Sequence, residues 1–221
     1  MILIGQFDSP YVRRVAVSLN VLGIAFERRL LSVFRHAEDL RRYNPLGRVP
    51  ALAIEDGSVL IDSAAILDYL DELVGPGRAL LPPGGASRRD ALRSMAIATG
   101  CSDKAMAIAY ERRREQSLVD ATWIARSRTQ LDAGLAALEQ AIRWQPDERL
   151  MQPAITTATM LGYVRLRVPE ALSGGRYPNL DGLAERCEAL PAFAASLPTV
   201  EEIGGPDAPA ALTRLRQVAR G

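Results

Sequence analysis

The chain is poor in the residues that build metal centres and redox staples. It has one histidine, His36, and two cysteines, Cys101 and Cys187, far apart and with no Cys-x-x-Cys spacing. A multi-histidine metal site is excluded, any Ser-His-Asp scheme would have to recruit His36, and the absence of a disulfide framework suits a reducing cytosol. No run of about 18 apolar residues exists, and the N-terminus lacks a basic segment followed by an apolar core, so neither a membrane span nor a secretory leader is expected. Lysine is almost missing: Lys104 stands alone and arginine carries the rest of the positive charge. With 27 basic and 26 acidic residues the formal net charge is +1, which supplies no global field for nucleic acid. A content of 48% hydrophobic and 24% charged residues is ordinary for a soluble globular protein, and 221 residues fit one large domain or two small ones.

Met1 to Phe7 reads as a buried strand, because Ile2, Leu3 and Ile4 follow one another as central strands allow. Ser9-Pro10 then opens a helix with a favoured cap and a favoured first residue. Val12, Val15, Ala16, Leu19 and Leu22 form its apolar stripe and Gly23 its stop. Phe26 to Leu31 is a second strand, Ala37 to Tyr43 a short helix, and Ala51–Ile54 with Val59–Ile61 a hairpin around Glu55-Asp56-Gly57-Ser58. Ser63 is placed to cap a helix from Ala64 to Val74. The order β-α-β-α-β-β-α predicts a thioredoxin-like α/β domain over residues 1–77. The Gly- and Pro-rich segment 78–86 reads as a linker, and 87–221 as an all-helical bundle. Within the bundle, helical periodicity covers Arg88–Arg114, Leu118–Arg143 and Thr156–Val168, with shorter helices at Leu180–Leu190 and Pro191–Leu197. Beyond Thr199 the pattern allows one short terminal helix.

The richest stretch is Asn44-Pro45-Leu46-Gly47-Arg48-Val49-Pro50. Pro50 removes a backbone donor at the start of a strand, and X-Pro is where a cis bond costs only about 0.5–1 kcal/mol. A cis Val49-Pro50 turns the Val49 N–H and C=O outward, ready to pair with an extended peptide. Asp62-Ser63 adds a carboxylate, a hydroxyl and free helix N–H groups, suited to the carboxylate and amine of a small zwitterion. Together these residues read as a seat for a short peptide.

That run, with Asp62-Ser63-Ala64-Ala65-Ile66-Leu67-Asp68-Tyr69-Leu70 and the opening Phe7-Asp8-Ser9-Pro10-Tyr11-Val12-Arg13-Arg14-Val15, resembles the glutathione transferase superfamily, nearest to bacterial members with Ser-Pro-Tyr/Phe-Val-Arg. The likeness is sharp over the first third and architectural afterwards. It implies glutathione as co-substrate, held by Ser9, Arg48, Val49, Pro50, Asp62 and Ser63, with no metal. It also implies a homodimer paired through the helix Arg88–Arg114, whose Asp103 approaches the partner's peptide amine; a salt bridge to Lys104 or an arginine is the equal alternative. His36 is placed to reach the peptide's glycine carboxylate or to be a plain loop histidine.

Glutathione chemistry needs a thiolate, and a free thiol titrates near 8.5. Lowering that by about two units requires roughly 2.7 kcal/mol of preference for the anion. The Ser9 hydroxyl can supply about 1.5–3 kcal/mol as a donor to the charge, and the following helix N-terminus up to about 2 kcal/mol. The competing role of Ser9 is a plain N-cap. Phe7 has no hydroxyl where tyrosine-type members carry one, and no cysteine replaces Ser9. Tyr11, Met106 and Tyr110 are expected to line a second-substrate pocket between the domains, with Tyr163 a further candidate. Arg13 and Arg14 are expected on a solvated helix face, with one of them aiding the anionic site as the alternative, and Thr156 is expected to cap its helix without the acid that relatives carry at the position of Thr159. The expected function is a cytoplasmic glutathione transferase attacking a small apolar electrophile. The alternative is a non-catalytic ligand-binding or protein-interaction module of the same superfamily.

Overall fold

The computed structural model describes residues 1–142 and 148–218. Its first elements are β1 (Ile2–Ile4), α1 (Pro10–Leu22), β2 (Glu27–Arg29), α2 (Ala37–Arg41), β3 (Ala51–Ala53), β4 (Val59–Ile61) and α3 (Ser63–Val74). The strands form one mixed sheet in the order β2-β1-β3-β4. β1 runs parallel to β2 with Ile2 opposite Glu27, and antiparallel to β3 with Ile2 opposite Ala53. β3 and β4 close the hairpin with Ala51 opposite Ile61.

Both faces of the sheet are covered, which explains the unbroken apolar run in β1. Leu3 and Leu52 pack with Val12, Val15 and Leu19 of α1 and Ile66 and Leu70 of α3. Ile4 and Ala51 face the other way, onto Leu40 of α2. Gly5 sits at φ 139°, and a Cβ there would come within 2.6 Å of a Val12 methyl and 3.1 Å of the Val49 Cβ. Only glycine lets α1 and the Val49 turn close on the end of β1.

A mostly helical region follows: α4 (Gly85–Glu111), α5 (Ala121–Ala141), α6 (Gln152–Arg167), α7 (Pro178–Glu188), α8 (Pro191–Ala194), α9 (Val200–Ile203) and α10 (Ala208–Val218). α4 and α5 lie against each other and α4 against α6, while α1 packs on α6. The thioredoxin-like layer and the helices therefore share one core. Among the described residues no helix is long and apolar enough to cross a membrane.

Several boundaries differ from the sequence expectation for identifiable reasons. Asp62, not Ser63, caps α3: its carboxylate accepts the Ala64 N–H at 2.8 Å, and Ser63 is the first helical residue. α5 starts at Ala121 because Asp120 accepts the Trp123 N–H at 3.0 Å; the expected end at Arg143 lies outside the described residues. α6 begins before Thr156, at Gln152-Pro153 after an extended Met151. Thr156 is thus a buried second-turn residue, and the Thr159 hydroxyl donates back to the carbonyls of Ile155 and Thr156. The missing acid at Thr159 is therefore no defect of a cap. Past Thr199 there are two helices, the first closed by a full capping box between Thr199 and Glu202.

Arg13 corrects a larger expectation. It is 2% exposed, not solvated. Its guanidinium donates to both carboxylate oxygens of buried Glu188 at 2.7 and 2.6 Å and to the carbonyl of Ser196 at 3.1 Å, with the Phe193 ring 5.6 Å from its centre. Gly162 of α6 gives it passage, since a Cβ there would lie 2.8 Å from the guanidinium. This paired charge ties α1 to α7 and to the turn after α8.

Candidate functional site

Two adjoining clefts open beside the N-terminus of α1. The smaller, about 340 Å³, is bordered by Tyr11, Arg14, Arg48, Val49, Pro50, Asp62, Ser63, Thr99 and Asp103. The larger, about 1080 Å³, takes in Asp8, Ser9, Tyr11, Arg48, Val49, Met106, Tyr110 and Tyr163 among its walls. Tyr11, Arg48 and Val49 border both, so the two are joined at the turn before β3.

That turn is built by Asn44, buried at 3%. Its side-chain amide donates to the Arg48 carbonyl at 2.8 Å while its oxygen accepts the Leu46 N–H at 3.0 Å, an Asx turn. Val49-Pro50 is cis, as the sequence suggested. Neither the N–H nor the C=O of Val49 is paired among the described residues, so both remain open to a ligand.

Across the smaller cleft, Asp62 holds a positive φ of 66°, a conformation costing of order 1–3 kcal/mol for a residue with a side chain. It turns the start of α3 toward the opening. Ser63 is 2% exposed, and its hydroxyl oxygen accepts a hydrogen bond of 2.6 Å from the Arg14 guanidinium. A hydroxyl that accepts from Arg14 keeps its own proton to donate. Arg14 was expected in solvent, yet it is 4% exposed. Burial pulls its pKa down to about 10, against the opposing charges of Asp62, Tyr11 and Asp103. The guanidinium stays charged at neutral pH, a fixed cation beneath the seat.

Ser9 caps α1, and its oxygen accepts the Val12 N–H at a long 3.4 Å. Its O–H is unspent, and the Tyr11 N–H has no acceptor among the described residues. Two donors thus stand at the positive end of a 13-residue helix, in the wall of the larger cleft. Tyr11 offers no competing hydroxyl. Its O–H donates to the Asp103 carboxylate and approaches the Thr99 carbonyl at 3.2 Å. Burial first, and the Asp103 bond and charge next, push its pKa far up. Asp103 is therefore engaged within its own chain by Tyr11; neither Lys104 nor an arginine salt-bridges it among the described residues.

His36 is not brought to either cleft. Its Nδ1 accepts the Ser32 N–H at 3.1 Å at the start of α2, without a capping bond. Met106, Tyr110 and Tyr163 do meet in the larger cleft. Sequence reasoning missed Asp8, Arg167, Arg113, Phe34 and Glu202 there. Asp8 pairs with Arg167 at 2.6 Å, and burial nonetheless raises its pKa. Glu202, 4% exposed, accepts the Phe7 N–H at 2.7 Å and pairs with Arg28, fastening α9 to the end of β1. Its one sequence signal was Thr199-x-x-Glu202, the spacing of a capping box. Among the described residues no cluster of three or more histidine, cysteine or acidic side chains could hold a metal ion.

Known proteins share this fold. The family described as glutathione S-transferase, N-terminal domain, matches residues 3–78. A glutathione S-transferase from Methylobacterium radiotolerans, solved with glutathione sulfonate, is 32% identical, covers 89% of this chain and 94% of its own, and superposes with a TM-score of 0.82. A glutathione transferase family member from Pseudomonas fluorescens Pf-5, solved with glutathione, is 32% identical over 90% of this chain and 98% of its own, with a TM-score of 0.80. A protein of Vibrio cholerae named as a probable maleylacetoacetate isomerase is 27% identical over 209 residues, 90% of this chain and 95% of its own. The motifs, the two joined clefts and these relatives place the chain in the glutathione transferase superfamily.

Proposed function

We propose that the protein is a glutathione-dependent enzyme in which Ser9 ionises the glutathione thiol for attack on a small electrophile. Glutathione lies along the smaller cleft. Its γ-glutamyl carboxylate takes the Ser63 proton, and its ammonium faces Asp62 and Asp103 of the same chain. Its cysteinyl backbone pairs with the N–H and C=O of Val49, and Arg48 faces the remaining carboxylate. The sulfur then reaches the larger cleft at Ser9. The unspent Ser9 O–H beside the Tyr11 N–H, which has no acceptor among the described residues, carries this reading, because both can donate to a sulfur anion. A charged hydrogen bond of about 1.5–3 kcal/mol and a helix end of up to about 2 kcal/mol suffice for the roughly 2.7 kcal/mol that two units of thiol pKa require. The electrophile sits against Tyr11, Met106, Tyr110 and Tyr163. Solved relatives that hold glutathione and glutathione sulfonate support the same seat.

The reading divides the chain into a glutathione-binding domain (1–77), a linker that ends where α4 begins at Gly85, and a helical domain from there on. It makes the active form a cytoplasmic homodimer paired across α3 and α4, where Leu73 is 50% exposed and Leu92 44%; exposed apolar groups favour burial against a partner. Calorimetric titration of glutathione tests the seat. Ser63→Ala is expected to weaken binding, and Asp62→Ala to weaken it more by leaving the ammonium unpaired, with both losses in affinity rather than in the rate at saturation. Affinity unchanged in both variants would remove the peptide from this cleft.

A further inference from the structure

The larger cleft is lined by more arginine than its acids can pair. Arg167 is matched by Asp8, Arg35 by Glu201 and Arg112 by Glu170, while Glu202 is matched from outside by Arg28. Arg48, Arg113 and Arg214 have no carboxylate within 4.0 Å among the described residues, against one unpaired acid in the walls, Asp207. Arg48 comes from the turn before β3 and Arg113 from just past the end of α4, and both line the cleft. Both act on the Tyr110 hydroxyl: burial and Asp8 push its pKa up, and Arg113, Arg167 and Arg48 pull against them. Arg113 also lies 4.3 Å over the Phe34 ring, which meets Tyr110 edge-on at 5.5 Å. Stacking on an aromatic face fixes one side of the guanidinium and leaves its edge donors free. An aromatic floor with a pre-set guanidinium at its rim suits an apolar body that ends in a planar anion.

We propose that the larger cleft binds an organic acid, its apolar body against Tyr110, Tyr163 and Met106 and its carboxylate on the Arg113 guanidinium. This narrows the electrophile from simply apolar to an apolar body that carries a carboxylate. Its role as second substrate rests on the glutathione reading above; the preference of the cleft for an acid does not. A neutral analogue of the same shape leaves the Arg113 guanidinium without a counter-charge, so discrimination comes from charge rather than fit.

The test uses para-nitrobenzoate and para-nitrobenzamide, which share ring and size but not charge. Calorimetry on the intact protein is expected to show the acid binding at least about tenfold more tightly than the amide. That preference should shrink as salt is raised and should disappear in Arg113→Gln. Equal affinity for the two compounds, binding of neither, or a preference that Arg113→Gln leaves intact would each overturn the proposal. Glutathione titrated into the same samples separates the two readings. Loss of glutathione binding with the acid preference intact removes only the thiol-transfer role, and the reverse result removes only the acid.

Discussion

Replacing Ser9 by alanine deletes one donor to the sulfur while leaving α1, its dipole and the Tyr11 N–H in place. The loss is that of a hydrogen bond to a charge, about 1.5–3 kcal/mol, which at about 1.36 kcal/mol per unit raises the pKa of bound glutathione by about one to two units. Thiolate attack then slows about ten- to a hundredfold at pH values below both pKa values. The difference shrinks as pH rises and vanishes above the variant's pKa. Glutathione affinity should change little, because the proposed anchors of the peptide, Val49, Asp62 and Ser63, border the smaller cleft. Ser9 also caps α1, but through a bond of 3.4 Å to the Val12 N–H, so the stability cost should fall toward the low end of about 0.5–2 kcal/mol. Thiolate absorbance followed against pH in wild type and variant, with urea unfolding alongside, separates the two roles. Coincident titration curves with reduced stability would leave Ser9 a cap and refute the activation argument.

Other consequences follow from the buried groups and the exposed faces. Arg13→Leu strands the Glu188 carboxylate in the core and should cost about 3–5 kcal/mol, while the double variant Arg13→Leu/Glu188→Leu should recover much of it; denaturant midpoints that show no such coupling would contradict the pairing. Burial pushes the thiols of Cys101 and Cys187 up to about 12, so both stay protonated far above neutrality. Neither should alkylate with iodoacetamide at pH 8 until denaturant is added, as mass spectrometry would record. Sedimentation at micromolar concentration should give twice the chain mass, and Leu73→Asp with Leu92→Asp should return a monomer; a wild-type monomer would oppose pairing across α3 and α4.

What could be read from the sequence was what local chemistry encodes. The Ser9-Pro10 helix start, the Val49-Pro50 turn and the Asp62-Ser63 start of α3 each depend on adjacent residues, and each stands where the pattern put it, apart from the exchange of caps between Ser63 and Asp62. The arginines were misplaced because a single apolar stripe was assumed for α1. That helix is covered by the sheet and α3 on one side and by α6 on the other, so the positions opposite the stripe are buried as well. Their partners could not be inferred by spacing: Glu188 lies 175 residues from Arg13, and Ser63 lies 49 from Arg14. Glu202 shows the same limit, since its capping box is local but its grip on the Phe7 N–H spans 195 residues. Chain position left His36 open between the peptide's carboxylate and a loop role, and its ring accepts the Ser32 N–H in the turn before α2.

The central claim is that glutathione's sulfur meets the Ser9 hydroxyl at the mouth of α1. A crystal structure of the protein soaked with glutathione tests it most directly. The account predicts the peptide along Val49, Asp62 and Ser63, with its sulfur within hydrogen-bonding reach of Ser9 Oγ, about 3–3.5 Å. A sulfur turned away from Ser9, toward Tyr11 or open solvent, would contradict it.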